Sequence, residues 1–223
     1  MQGNQNNFFL LQGAISCCQR AGLATTIQTM IISISGTAGS GKSTVAKKLA
    51  KKLNWPYYGM GKLRRRVAKK KGLTLAEYNK LGETDPITDL EVDKYQERLG
   101  RSMDNFVIEG RTSWHFIPQS LKIYICVDKK VGAARIYKDL KRSNHRNEDK
   151  NLKTYQDVLK SNQKRLQSDK KRYKKYFNID VFNKRNYDFV LDTTNLNIKQ
   201  SFTKIYNFVK SNLKPKISKP IKK

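Results

Sequence analysis

The clearest chemical signature in this chain is a nine-residue loop, GTAGSGKST, at positions 36–44. Its spacing matches GxxxxGK[ST], in which glycines let main-chain N–H groups wrap around phosphate oxygens. In such a loop Lys42 reaches the β- and γ-phosphates, and Ser43 binds Mg²⁺. We therefore expect ATP and Mg²⁺ to be held by Gly36, Thr37, Ala38, Gly39, Ser40, Gly41, Lys42, Ser43 and Thr44. The loop alone indicates nucleotide binding and does not separate kinases from GTPases or motor ATPases.

A second candidate group is the tripeptide Glu109-Gly110-Arg111, which follows the apolar segment 106–108. If that segment is a strand, the tripeptide lies at the carboxyl edge of the sheet, where open α/β folds bind ligands. Glu109 could then hold a Mg²⁺-bound water, and Arg111 could hold the phosphate of an acceptor. Taken alone, the tripeptide is as readily explained by a glycine turn beside a surface ion pair.

Three charged residues further along, Arg165, Asp169 and Arg172, are spaced by four and three positions. On a helix this spacing places them on one face, from which they could close over a transferring phosphoryl group. Arginine suits that role because its planar guanidinium binds phosphate oxygens in pairs and keeps its charge. A lone basic helical face is more commonly just solvated.

The elements that must position these residues follow from periodicity. From residue 30, short apolar runs alternate with amphipathic stretches, which is typical of βαβ units. The spacing of Thr74 and Glu77 predicts a capping box, and so does that of Thr88 and Glu91. The expected fold is α/β with three layers, helices on both faces and a parallel sheet of five strands, at 30–35, 57–58, 106–108, 121–127 and 188–192.

The ends of the chain differ from this pattern. Residues 1–29 are rich in Gln and Asn and carry Arg20 as their single charged side chain. We expect a disordered leader or a start codon assigned too far upstream, with an organelle transit peptide as a further alternative. Residues 30–213 are expected to form one domain, and residues 214–223 a flexible basic tail.

The formal net charge is +28, from 46 Lys and Arg against 18 Asp and Glu. A field of this size attracts nucleotides, nucleic acids and acidic surfaces without choosing among them, and the codon bias of an AT-rich genome explains it equally well. We find no RNA- or DNA-binding signature, so no specific nucleic acid is expected.

Membrane, metal and compartment are constrained by other features. No run of 18 apolar residues exists, so no membrane span is expected. The three cysteines, Cys17, Cys18 and Cys126, lack zinc-site spacing. Cys126 lies in an apolar run, which favours a buried thiol in a reducing, cytoplasmic setting.

From Met30 to about Val209 the sequence resembles the cytidylate kinases, in particular the short archaeal-type form within the nucleoside monophosphate (NMP) kinases. No one segment besides the loop is specific, but their order and spacing together are. The segments that carry the resemblance are MIISISGTAGSGKST, ETDPITDLEVDKYQ, FVIEGR, SDKKRYKKYFNID and YDFVLDTT.

The resemblance implies Mg²⁺-dependent phosphoryl transfer from ATP to CMP or dCMP, and we expect a monomer. It also implies a core, an NMP-binding region at about 59–104 and a helical lid at about 135–178. Carried over by position, Arg65 and Arg111 would hold the acceptor phosphate, and Arg165 and Arg172 would come from the lid. Asp169 would orient those arginines or touch the acceptor. In-line transfer needs no general-base histidine.

One stretch departs from the family pattern. After the second strand the family carries a SAGDxxR-like sequence, and this chain has GMGKLRR at positions 59–65, without the hydroxyl and the acid. Because a base is selected by matched hydrogen-bond partners, the sequence does not determine which base is bound. Kinases of AMP, UMP or shikimate therefore stay open, as does a nucleic-acid-associated ATPase.

Overall fold

The computed structural model describes residues 29–142 and 152–213. The sequence predictions for the leader and the basic tail, and those for residues 143–151 of the lid region, lie outside the described residues. Within the described ranges, no helix combines the length and apolarity that crossing a membrane requires.

The centre of the fold is a five-stranded sheet in the order β2-β3-β1-β4-β5, with every neighbouring pair parallel. This confirms the predicted fold class, and the strand bounds agree with the apolar runs to within two residues. Because the strands are parallel, their carboxyl ends meet at one edge, where residues following β1 and β3 lie side by side. The strands are β1 Ile31–Gly36, β2 Tyr57–Gly59, β3 Phe106–Glu109, β4 Leu121–Cys126 and β5 Phe189–Asp192.

Helices cover both faces of the sheet. They are α1 Lys42–Leu53, α2 Met60–Lys70, α3 Leu75–Leu81, α4 Ile87–Ser102, α5 Ser113–Phe116, α6 Lys129–Arg142, α7 Tyr155–Phe177 and α8 Ile198–Asn212. On one face, Leu49 of α1 and Ile205 of α8 pack with Ile34. On the other, Met60 and Leu99 pack with strand residues of β1 and β3. Each fully buried side chain of this size contributes about 1.5–3 kcal/mol of hydrophobic stabilisation.

Two helix starts test the capping predictions. The box at Thr74 and Glu77 is present, with both reciprocal hydrogen bonds. The box at Thr88 is wrong, because α4 begins at Ile87 after Pro86, and the Thr88 hydroxyl donates instead to Asp85 O at 3.0 Å. Proline fixes φ near the helical value, so it starts the helix two residues earlier than the Thr-x-x-Glu pattern indicates.

The long helix α7 lies within the predicted lid region and packs against two other parts of the fold. Near its start, Val158 packs with Ala133 of α6. Near its end, the Tyr176 hydroxyl donates to Gly82 O at 3.0 Å, just after α3. The predicted lid therefore contacts the predicted NMP-binding region through α7, and the boundaries of both regions stay predictions.

Candidate active site

The glycine-rich loop runs from the end of β1 to the start of α1, and its backbone requires glycine at two positions. Gly39 has φ 76°, and a Cβ there would overlap the main chain of Gly132. A Cβ on Gly36 would overlap the carbonyl oxygen of Ile125. Side chains at either position would therefore displace the loop from the neighbouring strand and helix ends.

Hydrogen bonds hold the loop against the ends of β4 and β5. The Thr37 hydroxyl accepts from Val127 N at 3.1 Å, and the Thr193 hydroxyl donates to Ser40 O at 3.1 Å. Helix α1 then begins after Gly41 with no side-chain cap and no acidic residue in its first turn. Its first amides and the positive end of its dipole are thus free to bind an anion.

Lys42 is the single cation of the glycine-rich loop, and its pKa is strongly shifted. Its Nζ lies 3.9 Å from Glu109 Oε1. The pKa of this ammonium is lowered to about 7, chiefly because it is buried. Glu109 acts in the opposite direction, and three guanidinium groups add to the decrease, those of Arg111, Arg165 and Arg65. A site that destabilises a lysine cation in this way is suited to polyphosphate, which restores the charge balance.

Glu109 is buried at the end of β3, with 6% of its surface exposed. Its Oε2 accepts from the Tyr57 hydroxyl at 3.1 Å. Ser43, the other predicted Mg²⁺ ligand, lies in the first turn of α1. Both side chains offer oxygen, which suits Mg²⁺. Among the described residues no group of three or more His, Cys, Asp or Glu side chains could hold a metal.

Arg111 lies between the loop and α7. Its Nη1 donates to Gly36 O at 3.4 Å, and its Nε forms an ion pair with Asp169 Oδ2 at 2.6 Å. The guanidinium also lies 5.5 Å from the centroid of the Phe182 ring, within the range of a cation–π contact. These contacts fix the guanidinium next to the phosphate-binding loop.

A chain of buried ion pairs continues from Asp169, and we refer to its five residues as the arginine–aspartate chain. Asp169 Oδ1 accepts from Arg172 Nη2 at 2.6 Å, and Arg172 Nη1 donates to Asp89 Oδ1 at 2.7 Å. Arg64 also donates to Asp89. The chain thus connects Arg111 at the end of β3 with α7, α4 and α2. Burial raises the pKa of Asp169, but its arginine neighbours outweigh this and lower it.

The structure brings four predicted cations together and places a fifth apart. The positive charges of Arg65, Arg111 and Arg165 all lower the pKa of Lys42. Arg172 is 1% exposed and faces two carboxylates of the arginine–aspartate chain. Its predicted contact with the transferring group stays a prediction, since here its guanidinium is directed at aspartates.

Sequence reasoning missed two members of this chain. Arg64 directly precedes the predicted ligand Arg65, and only the phase of α2 separates their environments. Arg64 donates from Nε to Asn79 Oδ1 at 2.9 Å, whereas Arg65 donates to Gly61 O at 3.1 Å. Asp89 could have been found from polar residues at i, i+4 and i+7 on one face of α4, a pattern that is unusual for a buried face.

The sequence predicts that neither histidine, His115 or His145, acts as a general base. The ring of His115 lies 5.1 Å from that of Phe116 and 6.0 Å from that of Phe177, and burial lowers its pKa. His145 lies outside the described residues. The aromatic surroundings of His115 are those of a packing residue, and the prediction stays open to test.

Two cavities flank α7. One of about 450 Å³ is bordered by Ala38 of the loop and by Arg111. The other, of about 760 Å³, lies between α3 and α7, where Asn79 and Arg165 border it. Both volumes are in the range of small-molecule sites. Arg111 borders the smaller cavity and Arg165 the larger one.

Comparison with known proteins gives a family match. The sequence model of the cytidylate kinase-like family matches residues 31–195. A cytidylate kinase of Methanocella arvoryzae is 34% identical over 170 residues, which is 76% of this chain and 91% of the relative. A cytidylate kinase of Methanothrix thermoacetophila is 36% identical over 164 residues, 74% of this chain and 88% of the relative.

Solved structures share the fold at lower identity. An uncharacterised protein from Eubacterium ventriosum superposes with a TM-score of 0.61 at 20% identity, covering 82% of this chain and 99% of that one. A shikimate kinase from Bacteroides thetaiotaomicron gives 0.55 at 13% identity, covering 83% and 99%. At such identities the likeness concerns the α/β kinase fold alone.

Proposed function

Because the chain belongs to the cytidylate kinase-like family, we propose that it transfers the γ-phosphoryl group of ATP to CMP or dCMP, giving CDP or dCDP. The observation that carries this proposal is the position of Arg111 at the glycine-rich loop, where its Nη1 donates to Gly36 O at 3.4 Å. The positive charges of Arg65, Arg111 and Arg165 also lower the pKa of Lys42. Relatives named cytidylate kinase, at 34% and 36% identity over about three quarters of the chain, support the choice of acceptor.

The two phosphates would be held by different parts of the site. The loop amides, the start of α1 and Lys42 bind the β- and γ-phosphates of ATP. Arg65 and Arg111 hold the phosphate of the acceptor, so that one of its oxygens attacks the γ-phosphorus in line. Arg165 offsets the negative charge that spreads over the equatorial oxygens. The attacking oxygen belongs to an ionised phosphate, so no side chain has to remove a proton.

We propose that Mg²⁺ is bound by the Ser43 hydroxyl and, through a water molecule, by Glu109. A bound Mg²⁺ would neutralise part of the charge of the phosphate groups. Glu109 is suited to this because it is already held by the Tyr57 hydroxyl at 3.1 Å, so its carboxylate has little orientation left to lose.

Asp169 and Arg172 are proposed to act as positioning residues. Asp169 holds the Arg111 guanidinium through Nε at 2.6 Å. Arg111 Nη1 meanwhile lies 3.4 Å from Gly36 O, so the guanidinium is held beside the glycine-rich loop. Arg172 in turn holds Asp169 at 2.6 Å, so both act on the acceptor phosphate through Arg111.

We further propose a monomeric cytoplasmic enzyme. The proposed groups all come from one chain, so no second subunit is needed to complete the site. The free Cys126 thiol is buried, and burial raises its pKa, which leaves it unreactive. Light scattering should give the mass of one chain, and a dimer mass would contradict this proposal.

The acceptor is tested by steady-state kinetics with ATP, Mg²⁺ and a panel of CMP, dCMP, UMP, AMP and shikimate. We expect kcat/KM for CMP or dCMP to exceed that for AMP and shikimate by at least about 100-fold, because binding energy from a matched base is expressed in the transition state. A preference for AMP or shikimate would contradict the proposal. Turnover of ATP without any acceptor would favour the ATPase alternative.

A further inference from the structure

A buried polar cluster lies where the family pattern lost its polar residues. Its members are Asp93 and Gln96 of α4 with Thr112 and Ser113 of the turn between β3 and α5, and we refer to it as the α4 polar cluster. Gln96 Nε2 donates to Asp93 Oδ1 at 3.1 Å and to Thr112 Oγ1 at 3.2 Å. The Ser113 hydroxyl donates to Gln96 Oε1 at 2.6 Å. All four residues are at most 6% exposed.

The α4 polar cluster adjoins both the phosphate-binding arginine and the altered stretch. Thr112 directly follows Arg111. A Cβ placed on Gly110 would meet Met60 Cγ at 3.0 Å, and the Ser113 hydroxyl lies on the same side. Met60 is the second residue of GMGKLRR, the stretch that lacks the family's hydroxyl and acid. A hydroxyl, that of Ser113, is therefore present beside this stretch, and the carboxylate of Asp93 is connected to it through Gln96.

One atom of the cluster has no partner. Asp93 Oδ2 is buried and accepts no hydrogen bond from any described residue. A buried, unpaired carboxylate oxygen costs on the order of 1–3 kcal/mol or more, so its retention calls for a reason. Burial, and next the charge of Asp89, raise the pKa of Asp93 to about 7, against the opposing effect of Arg64. The cluster thus contains a polar group that a ligand could relieve.

We propose that Asp93 determines the specificity for the acceptor base, with Oδ2 accepting a hydrogen bond from the exocyclic amino group of cytosine. The proposal rests on the proposed function, since it names the base-reading residue of that same site. Uracil presents a carbonyl oxygen at the position of the amino group. When Asp93 is ionised, two acceptors then face each other, and UMP is rejected.

Asp93 borders neither of the two cavities described above, so a base reaches Oδ2 after side chains around the α4 polar cluster move. Met60 lies beside Gly110 at this cluster. Methionine is suited to such a movement, because its unbranched thioether chain changes rotamer at low cost. Thr112 and Gln96 meanwhile keep Oδ1 occupied, which leaves Oδ2 as the oxygen that addresses the base.

The test is Asp93→Asn, which keeps the shape of the side chain and replaces Oδ2 by an NH₂ donor. The ratio of kcat/KM for CMP to that for UMP should fall roughly 10- to 100-fold, with UMP gaining in absolute terms, because one charged hydrogen bond changes sign. Asp104→Asn, which removes an exposed carboxylate just after α4, should leave the ratio unchanged. An unchanged ratio in Asp93→Asn, or an equal loss for both substrates, would overturn the proposal.

A second measurement covers the case in which Asp93→Asn does not fold. Wild-type enzyme and Asp93→Ser are both assayed with CMP and with the monophosphate of 2-pyrimidinone riboside. This analogue lacks the amino group of cytosine. Wild type should lose roughly 10-fold or more against CMP, and Asp93→Ser should show no such difference. An equal loss in both proteins would place the amino contact elsewhere. Wild type that fails to phosphorylate CMP would contradict the proposed function instead, before any variant is compared.

Discussion

The two proposed phosphate-binding sides of this molecule are built in different ways. The proposed donor side is one contiguous loop, Gly36 to Thr44, which offers main-chain amides and is followed by the start of α1. The proposed acceptor side consists of side chains from α2, the end of β3 and α7. One of its arginines, Arg111, is held by the arginine–aspartate chain, which also draws on α4.

This difference determines how each side should respond to mutation. A main-chain cradle keeps its shape when a side chain is removed, because its geometry comes from glycine dihedrals and strand ends. A cradle of buried guanidinium groups depends on its carboxylates for charge compensation, so losing one acid leaves cations unpaired in the interior. Substitutions on the donor side should therefore affect catalysis, and those on the acceptor side should affect folding as well.

The largest effect on stability is expected for Asp89→Asn, which leaves Arg64 and Arg172 buried without their shared carboxylate. The free energy of unfolding should fall by about 3–5 kcal/mol, as when one partner of a buried ion pair is removed. Urea denaturation measures this, with Glu91→Gln on the exposed face of α4 as the control. A loss of unfolding free energy equal to that of the control would show that the arginine–aspartate chain does not stabilise the proposed acceptor side.

The next largest effect is expected for Lys42→Ala on the donor side. Removal of the ammonium that would contact the γ-phosphate should lower kcat roughly 10²–10³-fold, as for other groups that offset developing charge. The unfolding free energy should change by less than about 1 kcal/mol, because a desolvated cation among three arginines is lost. Lys48→Ala, exposed on the same helix, is the control. A stability loss as large as that of Asp89→Asn would remove the contrast between the two sides.

The smallest expected effect is the uptake of a proton when ATP binds. The pKa of Lys42 is lowered to about 7, so at pH 8 most of this side chain is neutral before nucleotide binds. ATP phosphates favour the cation and raise the pKa, so binding should take up somewhat under one proton at pH 8 and almost none at pH 6, where Lys42 is already charged. Calorimetry in buffers of different ionisation enthalpy measures the uptake. An uptake at pH 8 that persists in Lys42→Ala would assign the proton to another group.

Secondary structure was largely predictable because its signals are local. The apolar runs predicted all five strands. The capping box at Thr74 was confirmed for the same reason. The one at Thr88 was wrong, since Pro86 two residues earlier has a stronger effect on where the helix begins.

The candidate site was predictable in part. The arginines at 65, 111 and 165 were named by position, and their positive charges lower the pKa of Lys42, while their roles stay predictions. The environment of Arg172 was not foreseen, because its partner Asp89 is 83 residues away in sequence. No pattern within α4 or α7 alone indicates that these two side chains meet.

The sequence by itself determined the glycine-rich loop, the succession of the five strands along the chain, and the family. A glycine-rich loop between a strand and a helix needs only short-range conformation to form. The tertiary structure alone decided which arginines pair with aspartates, as Arg64, Arg111 and Arg172 do, and that an acid of α4 joins a buried polar cluster next to Arg111. Such pairings depend on the phase of each helix and on contacts between distant segments, because buried charges must be compensated wherever the fold brings them together.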